Sequence, residues 1–399
     1  MFQLSPSTMT HRERREAIYS FQPLDHFPRR EFYFWPETIE RWKGEGLPED
    51  WQESNFFGFD EEGSRGPGVD LGWTETPLRP GFAARVVEET AEYQVVQDSS
   101  GRIKRIFRDL PTLAMPTYLQ HAVASRRDWE EQVKWRLDPA DPARWEAFEA
   151  GRGEMAAASA GGKPPFWVVQ GLIGGYMYLR NMFGPEGILY AFYDLPELVR
   201  EMMETWFSFM DYSLARVQGA YALDEIAMAE DICYKAGMLI SPAVWREFLR
   251  PYYEELIRRA KGRQGGEVDS GARADARKST VDRERPVYFM LDTDGNADEA
   301  NPLYHEIGFD ATSPCEVASG QDVVAIGERY PDLVIFGGLD KRLITAGADL
   351  AGLDRELERI LPTMLRRGGY APTTDHGVPP DVPLKNYLHY REKILELDH

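Results

Sequence analysis

The chain has 399 residues, of which 43 % are hydrophobic and 28 % charged, a composition typical of a globular protein with a substantial core. Its 66 acidic residues against 46 Lys and Arg give a formal net charge of −20, which excludes nucleic acid and anionic membranes as expected partners. With two cysteines and no run of about 18 apolar residues, we expect no disulfide framework, no transmembrane helix and a cytoplasmic location.

The first 110 residues are predicted to form an extension that precedes the main domain. Thr10 is placed to cap a short charged helix. Residues 25–35 then have the aromatic-rich composition of a strand, which Pro36 ends. The stretch 58–81 is heavy in Gly, Pro and acidic residues, and it is expected to be a loop.

A β-hairpin is predicted near the end of this extension. Strand-forming residues occur over 84–98 and again over 102–108. Between them, Asp98-Ser-Ser-Gly101 has the residue types of a tight turn. We expect the resulting ribbon to pack on one end of the main domain.

From residue 166 onward, short apolar segments alternate with segments of helical length. The predicted strands are 166–170, 224–231, 287–291, 309–312, 333–337 and 369–373. Repeated strand–helix units predict a parallel sheet with right-handed crossovers. We therefore predict an α/β fold in which residues 111–399 form a (β/α)8 barrel, although only seven strands are recognisable when the strand near Arg30 is included.

One segment interrupts the alternation of strands and helices. Residues 261–285 mix Gly, Arg and Asp and contain almost no large apolar side chain. Such a segment buries too little surface to offset the entropy lost on ordering. We expect a mobile insertion that flanks the barrel, and its role is left open.

Acidic residues follow four of the predicted strands. They are Glu230 with Asp231, Asp292 with Asp294, Glu316 after Cys315, and Asp375 before His376. The carboxyl ends of barrel strands face one side, so these groups are expected to share a cavity. Neighbouring carboxylates suit proton transfer or the binding of a hard cation, although each of them alone is also typical of a helix cap.

Two further elements are candidates for substrate binding. Gly171, in the sequence Gly171-Leu-Ile-Gly-Gly175, follows a predicted strand, where backbone N–H groups at a helix start bind anions; a plain tight turn is the alternative. Arg29 and Arg30 follow Pro28 within the first predicted strand segment and are suited to a bidentate grip on a carboxylate, unless they are ordinary surface charges.

Several ordered motifs resemble those of the uroporphyrinogen decarboxylase superfamily, which includes decarboxylases and corrinoid-linked methyltransferases. They are Asp231–Pro242 (DICYKAGMLISP) with Phe248–Tyr252 (FLRPY), Tyr288–Asn296 (YFMLDTDGN), Asp332–Asp340 (DLVIFGGLD) and Asp375–Pro383 (DHGVPPDVP). The resemblance covers about residue 166 to the C-terminus. It implies a distorted (β/α)8 barrel, in agreement with the strand pattern.

The resemblance also shows departures from the family pattern. The decarboxylases carry an arginine-glycine signature near the first strand, where this chain has Pro28–Pro36 (PRREFYFWP). Many of the methyltransferases bind zinc through a His-x-Cys pair and a further cysteine. This chain has Asp292-Thr-Asp294 and His376 at those places, and oxygen ligands favour harder metals or no metal.

Three hypotheses for the function follow from the resemblance and the residues. The first is a methyltransferase-like enzyme for one-carbon transfer, with a corrinoid delivered by a partner protein or with a small methylated substrate. The second is decarboxylation of a tetrapyrrole or small carboxylate held by Arg29 or Arg30, and the third is a non-catalytic ligand-binding barrel. Whether the chain forms a homodimer is left open.

We assign roles to the candidate residues on the first hypothesis. Asp231, Asp292 and His376 are the predicted catalytic residues, and Glu316 is predicted to bind substrate. Asp292, Asp294 and His376 form an acceptable ligand set for Zn, Mn or Fe. A shared substrate pocket without a metal and three unrelated helix caps are the alternatives.

Overall fold

The computed structural model describes residue 4 and residues 7–60, 63–109, 116–159, 162–264 and 286–398. The boundary predicted between residues 110 and 111 lies outside these ranges, as do residues 265–285 of the predicted insertion. Its first four residues, 261–264, are helical, so the insertion was predicted to begin too early. Within them, no helix is long and apolar enough to cross a membrane.

The strands that the structure describes form a parallel sheet of seven, an antiparallel sheet of four and a small two-stranded ribbon. In chain order they are β1 (Ser64–Arg65), β2 (Arg85–Glu89), β3 (Tyr93–Gln97), β4 (Ile103–Phe107), β5 (Thr117–Gln120), β6 (Trp167–Ile173), β7 (Glu225–Ala229), β8 (Cys233–Tyr234), β9 (Gly237–Met238), β10 (Tyr288–Asp292), β11 (Ala311–Ser313), β12 (Val334–Phe336) and β13 (Tyr370–Ala371).

The parallel sheet is the core of the fold, with strand order β1-β6-β7-β10-β11-β12-β13. It has one strand fewer than the predicted (β/α)8 barrel, and β1 and β13 are its two edges. The strand predicted at 25–35 contributes a single bridge, from Phe34 to Val378. The first strand of the sheet is instead the two-residue β1, inside the stretch predicted as a loop, where Gly and Pro leave no alternating pattern to recognise.

The structure describes α-helices before, between and after the strands of the parallel sheet along the chain. They are α1 (His11–Tyr19), α2 (Pro36–Gly44), α3 (Arg126–Asp128), α4 (Glu146–Ser159), α5 (Gly175–Phe183), α6 (Pro185–Asp194), α7 (Pro196–Ala220), α8 (Pro242–Phe248), α9 (Arg250–Gln264), α10 (Ala300–Glu306), α11 (Val323–Arg329), α12 (Leu350–Arg367) and α13 (Leu384–Glu396). The predicted cap of α1 is confirmed: Thr10 and Glu13 form a reciprocal capping box.

The antiparallel sheet has the order β2-β3-β4-β5. Its central strands β3 and β4 pair from Tyr93–Phe107 to Gln97–Ile103, and the Asp98 turn lies between them. Gly101 in this turn has φ +81°, a conformation that favours glycine. Because β5 lies beyond residue 110, this sheet joins the segments predicted as extension and as barrel.

The parallel sheet is curled, and helix α1 packs against its inner face at the amino ends of the strands. Its Ile18 and Tyr19 pack against inward-facing side chains at the start of the strands, among them Trp167. The larger apolar clusters lie outside the sheet, between the strands and the surrounding helices. The inner and outer faces of the sheet therefore have separate cores, and the carboxyl ends of the strands stay free for a site.

Candidate functional site

The structure places the predicted acidic residues along the carboxyl edge of the parallel sheet. Asp292 is the last residue of β10, and Asp231 follows β7 by two positions. Glu316 comes three residues after β11, and His376 lies in the loop after β13. The parallel register aligns Asp292 with Ser313 on one side and with Ala229 on the other, so these strand ends lie side by side.

Three aspartates meet at the centre of this edge. The N–H of Asp294 lies 3.5 Å from Oδ1 of Asp231. Burial and the negative charges of Asp294 and Asp231 raise the pKa of Asp292 to about 7. Burial and Asp294 also raise the pKa of Asp231. The group therefore has the like-charge character that keeps one carboxyl protonated near neutral pH.

His376 closes the cluster on the β13 side. Its Nε2 lies 3.7 Å from Oδ2 of Asp294, and its Nδ1 accepts the N–H of Gly377 at 2.8 Å. The neutral ring therefore carries its proton on Nε2, which faces the carboxylate. The interaction with Asp294 raises the pKa of His376. The rings of Phe32 and Tyr33 pack beside the imidazole, with centroid distances of 5.7 and 5.6 Å.

Glu316 lies at the same edge of the sheet, and Lys341 lies close to it. Its Oε2 accepts the N–H of Gly295 at 2.9 Å, which ties it to the Asp294 loop. Lys341 lies between two carboxylates, with Nζ 3.9 Å from Glu316 and 3.8 Å from Asp375. Asp375 is fully buried and accepts the backbone N–H groups of Val317 and Lys341, so it joins two loops.

Glu230 points away from its neighbour Asp231 and is fully buried at the start of α5. Its carboxylate accepts the N–H groups of Tyr176 and Met177 at 3.2 and 3.1 Å, together with the hydroxyls of Tyr253 and Tyr304. Burial raises its pKa to about 7. The helix start at which an external anion was predicted thus binds a carboxylate of the chain itself.

Gly174 explains how the start of α5 approaches the Glu230 carboxylate so closely. A Cβ atom on Gly174 would lie 1.9 Å from Oε2 of Glu230, so no side chain fits there. Gly171 lies within β6 and not after it, because the strand continues to Ile173. The prediction that Gly171 follows the strand is wrong, and a Cβ atom on Gly171 would lie 3.3 Å from the ring of Trp73.

Arg180 is a residue of this edge that the sequence analysis missed. It lies on α5 and donates from Nη1 to the backbone oxygen of Asp231 at 2.9 Å, while its Nη2 lies 3.6 Å from the Asp231 carboxylate. The available sign in the sequence was its place on the helix that begins at Gly175, five residues after that glycine. Lys341, next to the predicted Asp332–Asp340 motif, was missed in the same way.

Arg29 and Arg30 are not brought to this cluster. Arg29 is buried, with its backbone N–H bonded to Asp60 and its Nε 3.8 Å from Asp398. Arg30 is exposed, and with burial and Arg15 it helps to lower the pKa of His11 on α1 to about 4. Both arginines therefore lie with the elements that close the amino end of the sheet.

The predicted metal ligands do not form a ligand set in the described part of the chain. There, no group of three or more His, Cys, Asp or Glu side chains is arranged to hold a metal ion. The two cysteines offer no thiolate, because burial raises the pKa of Cys233 and of Cys315 to about 12. The residues present do not fit the zinc site that the family resemblance implies, and the metal stays a prediction.

Solved structures similar to this chain include a methyltransferase and a methionine synthase. A methyltransferase from Methanosarcina mazei has a similar structure, with a TM-score of 0.58 and 13 % identity over 97 % of this chain and 99 % of that one. A B12-independent methionine synthase from Shewanella sp. W3-18-1, in complex with selenomethionine, aligns over 93 % and 92 % with a TM-score of 0.37 and 11 % identity. No curated protein matches the chain.

The family is established by the sequence itself. A family model described as uroporphyrinogen decarboxylase (URO-D) matches residues 173–396, more than half of the chain. This range contains every strand end of the acidic edge. The chain therefore belongs to the uroporphyrinogen decarboxylase family.

Proposed function

We propose that this protein transfers a methyl group from a small methylated substrate to a nucleophilic acceptor, the reduced cobalt of a corrinoid on a partner protein. One observation carries the proposal: Asp292 stands at the carboxyl edge between Asp231 and Asp294, with a pKa of about 7. A carboxyl group that is still half protonated at neutral pH is suited to general acid catalysis.

In the proposed step, the proton of Asp292 is transferred to the substrate heteroatom from which the methyl group leaves. The bond between the methyl carbon and the substrate's oxygen, nitrogen or sulfur breaks, and its electron pair stays on that heteroatom. The heteroatom takes the proton of Asp292, and the methyl carbon bonds to the acceptor. Asp292 leaves the step as a carboxylate, which is reprotonated from water before the next turnover.

The neighbouring residues set up this step. Arg180 and His376 each face one of the flanking aspartates, Asp231 and Asp294, while Asp292 has no cation within ion-pair distance among the described residues. The proton of the three-carboxylate group is therefore expected to reside on Asp292. The same group orients the polar end of the substrate.

The structural likeness to a methyltransferase supports this choice over decarboxylation. The decarboxylase hypothesis needs Arg29 or Arg30 beside Asp231 or Asp292, and Arg29 is bound to Asp60 and Asp398. The decarboxylase hypothesis therefore loses the arginine clamp for the substrate carboxylate on which it depended. The non-catalytic hypothesis remains as the result expected if ligands bind without turnover.

The experiment follows the corrinoid absorbance. Purified protein is mixed with cob(I)alamin and a panel of methyl ethers, methylamines and methyl thioethers, and the appearance of methylcobalamin is recorded. We expect protein-dependent methylation that Asp292→Asn abolishes. Carbon dioxide release from carboxylated substrates without any corrinoid change would overturn the proposal in favour of decarboxylation, and binding without either reaction would favour the non-catalytic barrel.

A further inference from the structure

Strand β2 is a free edge of the antiparallel sheet. It stands first in the strand order β2-β3-β4-β5, so only one of its sides pairs with a neighbouring strand in the described part of the chain. All five of its residues are exposed, and so are residues 83 and 84 before it. The N–H and C=O groups on the outer side of β2 therefore have no strand partner there, which is the arrangement that accepts a further strand.

The centre of β2 carries two exposed apolar side chains. Val86 and Val87 are each 53 % exposed. The register with β3 shifts between Val86 and Glu88, so β3 offers Val87 no counterpart. Two adjacent β-branched residues on an open edge leave apolar surface in water, and pairing with another strand would cover it.

The opposite edge of the same sheet, strand β5, has a different character. Its residues Thr117–Gln120 include no charged side chain. Tyr118 is partly buried, and the guanidinium of Arg102 lies over its ring, 5.1 Å from the centroid. An edge without charges does not orient a partner strand, whereas β2 has charges at both of its ends.

The charges of β2 are separated by sign along the strand. Arg85 stands before the two valines, and Glu88 and Glu89 follow them. The Arg85 side chain forms no hydrogen bond or ion pair with the residues that the structure describes. A second, antiparallel copy of β2 would bring its acidic end opposite Arg85, and two-fold symmetry would repeat that contact. A parallel copy would place like charges side by side.

We propose that β2 is an interface between two copies of this chain, which pair edge to edge as antiparallel strands about a two-fold axis near Val86 and Val87. The valines of the two copies pack together at the centre. At each end, Arg85 of one copy faces Glu88 and Glu89 of the other. The two four-stranded sheets thereby form one continuous sheet, and the interface is independent of the proposed methyl transfer.

The size of this contact sets the strength of the dimer. A strand of five residues is about 17 Å long, and contacts of this length belong with the transient interfaces that bury less than about 1,200 Å². The net charge of −20 also repels the two copies at long range. At about 0.15 M salt that repulsion is screened beyond about 8 Å, while charges in contact still interact. We therefore expect monomers and dimers in exchange, with a ratio that depends on protein concentration.

The first experiment tests which edge forms the interface. Analytical ultracentrifugation of the full chain at about 0.15 M salt measures the dimer dissociation constant. Val87→Lys places a charge at the centre of the proposed interface, and we expect it to weaken dimerisation at least about tenfold. Leu119→Lys, which replaces an exposed apolar side chain on β5, is the matched control and should dimerise like the wild type.

The second experiment tests the antiparallel arrangement by exchanging charges. Arg85→Glu makes both ends of β2 acidic, and the double variant Glu88→Lys/Glu89→Lys makes both ends basic. Each variant alone should dimerise at least about tenfold more weakly than the wild type, because both contacts become repulsive. An equal mixture of the two variants should form mixed dimers about as strong as those of the wild type, because opposite charges then meet at both contacts. All the substituted side chains are exposed, so each variant should melt like the wild type.

Each outcome supports or overturns the proposal. A wild-type chain that stays monomeric at every concentration would overturn it, and would mean that the charges and the register shift of β2 protect this edge from pairing. A dimer that Val87→Lys leaves intact, or that Leu119→Lys weakens equally, would place the interface elsewhere. Charge variants that fail to associate when mixed would overturn the antiparallel arrangement.

Discussion

The two ends of the parallel sheet treat buried charge in opposite ways. At the amino end, Arg12 of α1 pairs with Asp224 at 2.5 Å, and Arg15 pairs with Glu225 at 2.9 Å. Each of these carboxylates at the start of β7 faces a guanidinium. At the carboxyl end, the cationic side chains within 4 Å of the three aspartates, among the residues that the structure describes, are Arg180 at 3.6 Å and His376 at 3.7 Å.

This difference separates residues that hold the fold from residues that perform chemistry. Buried ion pairs with short contacts fix α1 inside the sheet, because removing one partner leaves a charge without compensation. Carboxylates held together without enough cations cost stability, and proteins keep such arrangements mainly at functional sites. Substitutions at the amino end should therefore reduce stability, whereas substitutions at the carboxyl end should reduce activity.

The largest effect on stability is expected from Arg12→Met. The change leaves the Asp224 carboxylate buried without its guanidinium partner, although the apolar stem of the side chain is kept. We expect the free energy of unfolding to fall by about 3 to 5 kcal/mol in urea denaturation. Arg127→Met, which removes an exposed i,i+4 partner of Glu131, is the control and should cost less than about 1 kcal/mol. Equal losses in both variants would contradict the assignment of the amino end.

The largest effect on activity is expected from Asp292→Asn. Loss of the general acid should lower the methyl-transfer rate about a thousandfold, or about 4 kcal/mol of transition-state stabilisation. In the wild type the rate should fall as the pH rises above about 7, because Asp292 must be protonated to act. The variant should lose this pH dependence.

Asp298→Asn is the matched control for the acid. Asp298 is exposed in the loop that follows β10, so the substitution removes a nearby negative charge without touching the three-aspartate group. Its rate and pH profile should resemble those of the wild type. A variant Asp292→Asn with wild-type rates would remove Asp292 from the mechanism.

Part of this contrast was accessible from the sequence. Strand ends that carry Asp231, Asp292 and His376 were predictable, because parallel strands place their carboxyl ends on one side. The partners of those residues were not, since Arg180 and Lys341 reach the site from a helix and a turn. Whether a cation arrives at a carboxylate depends on packing between distant elements, and a single sequence gives no pattern for it.

The wrong predictions for Arg29 and for the first strand have the same cause, which is packing between elements that are distant in the sequence. Arg29 has the composition and position of a carboxylate clamp, yet it is buried beside Asp398 at the far end of the chain sequence. β1 has two residues and lies in a Gly- and Pro-rich stretch, so its pairing with β6 depends on the sheet and not on local propensity. Long apolar strands were the reliable part of the prediction.

The next prediction concerns Glu230, a buried carboxylate that stabilises the fold at the carboxyl end of the sheet. Its pKa is about 7 in the folded protein because of burial, against an ordinary value of 4.5. Between these values the native state binds more protons than the unfolded state, so stability should fall as the pH rises from about 4.5 to 7. Glu230→Gln removes this term, worth about 3 kcal/mol.

The measurement is the free energy of unfolding at pH 5, 6, 7 and 8. We expect the difference between Glu230→Gln and the wild type to move in favour of the variant as the pH rises. Glu186→Gln, exposed in the first turn of α6, should follow the wild type at every pH. Parallel curves for Glu230→Gln and the wild type would mean that Glu230 is already ionised across this range.

The smallest effect is expected from Asp294→Asn, which tests the pair with His376. The carboxylate of Asp294 raises the pKa of His376, so its removal should lower that pKa in an NMR titration of the ring protons. A histidine with a raised pKa contributes stability below its unfolded pKa of about 6.5 and loses it as the pH rises through the folded value. Because both groups are partly exposed, the loss below pH 6 should stay under about 1 kcal/mol.

Asp354→Asn beside His389 is the control, and it should leave the His376 titration unchanged. An unchanged pKa of His376 in Asp294→Asn would separate the imidazole from the aspartate group and leave Asp292 as the acid without that neighbour.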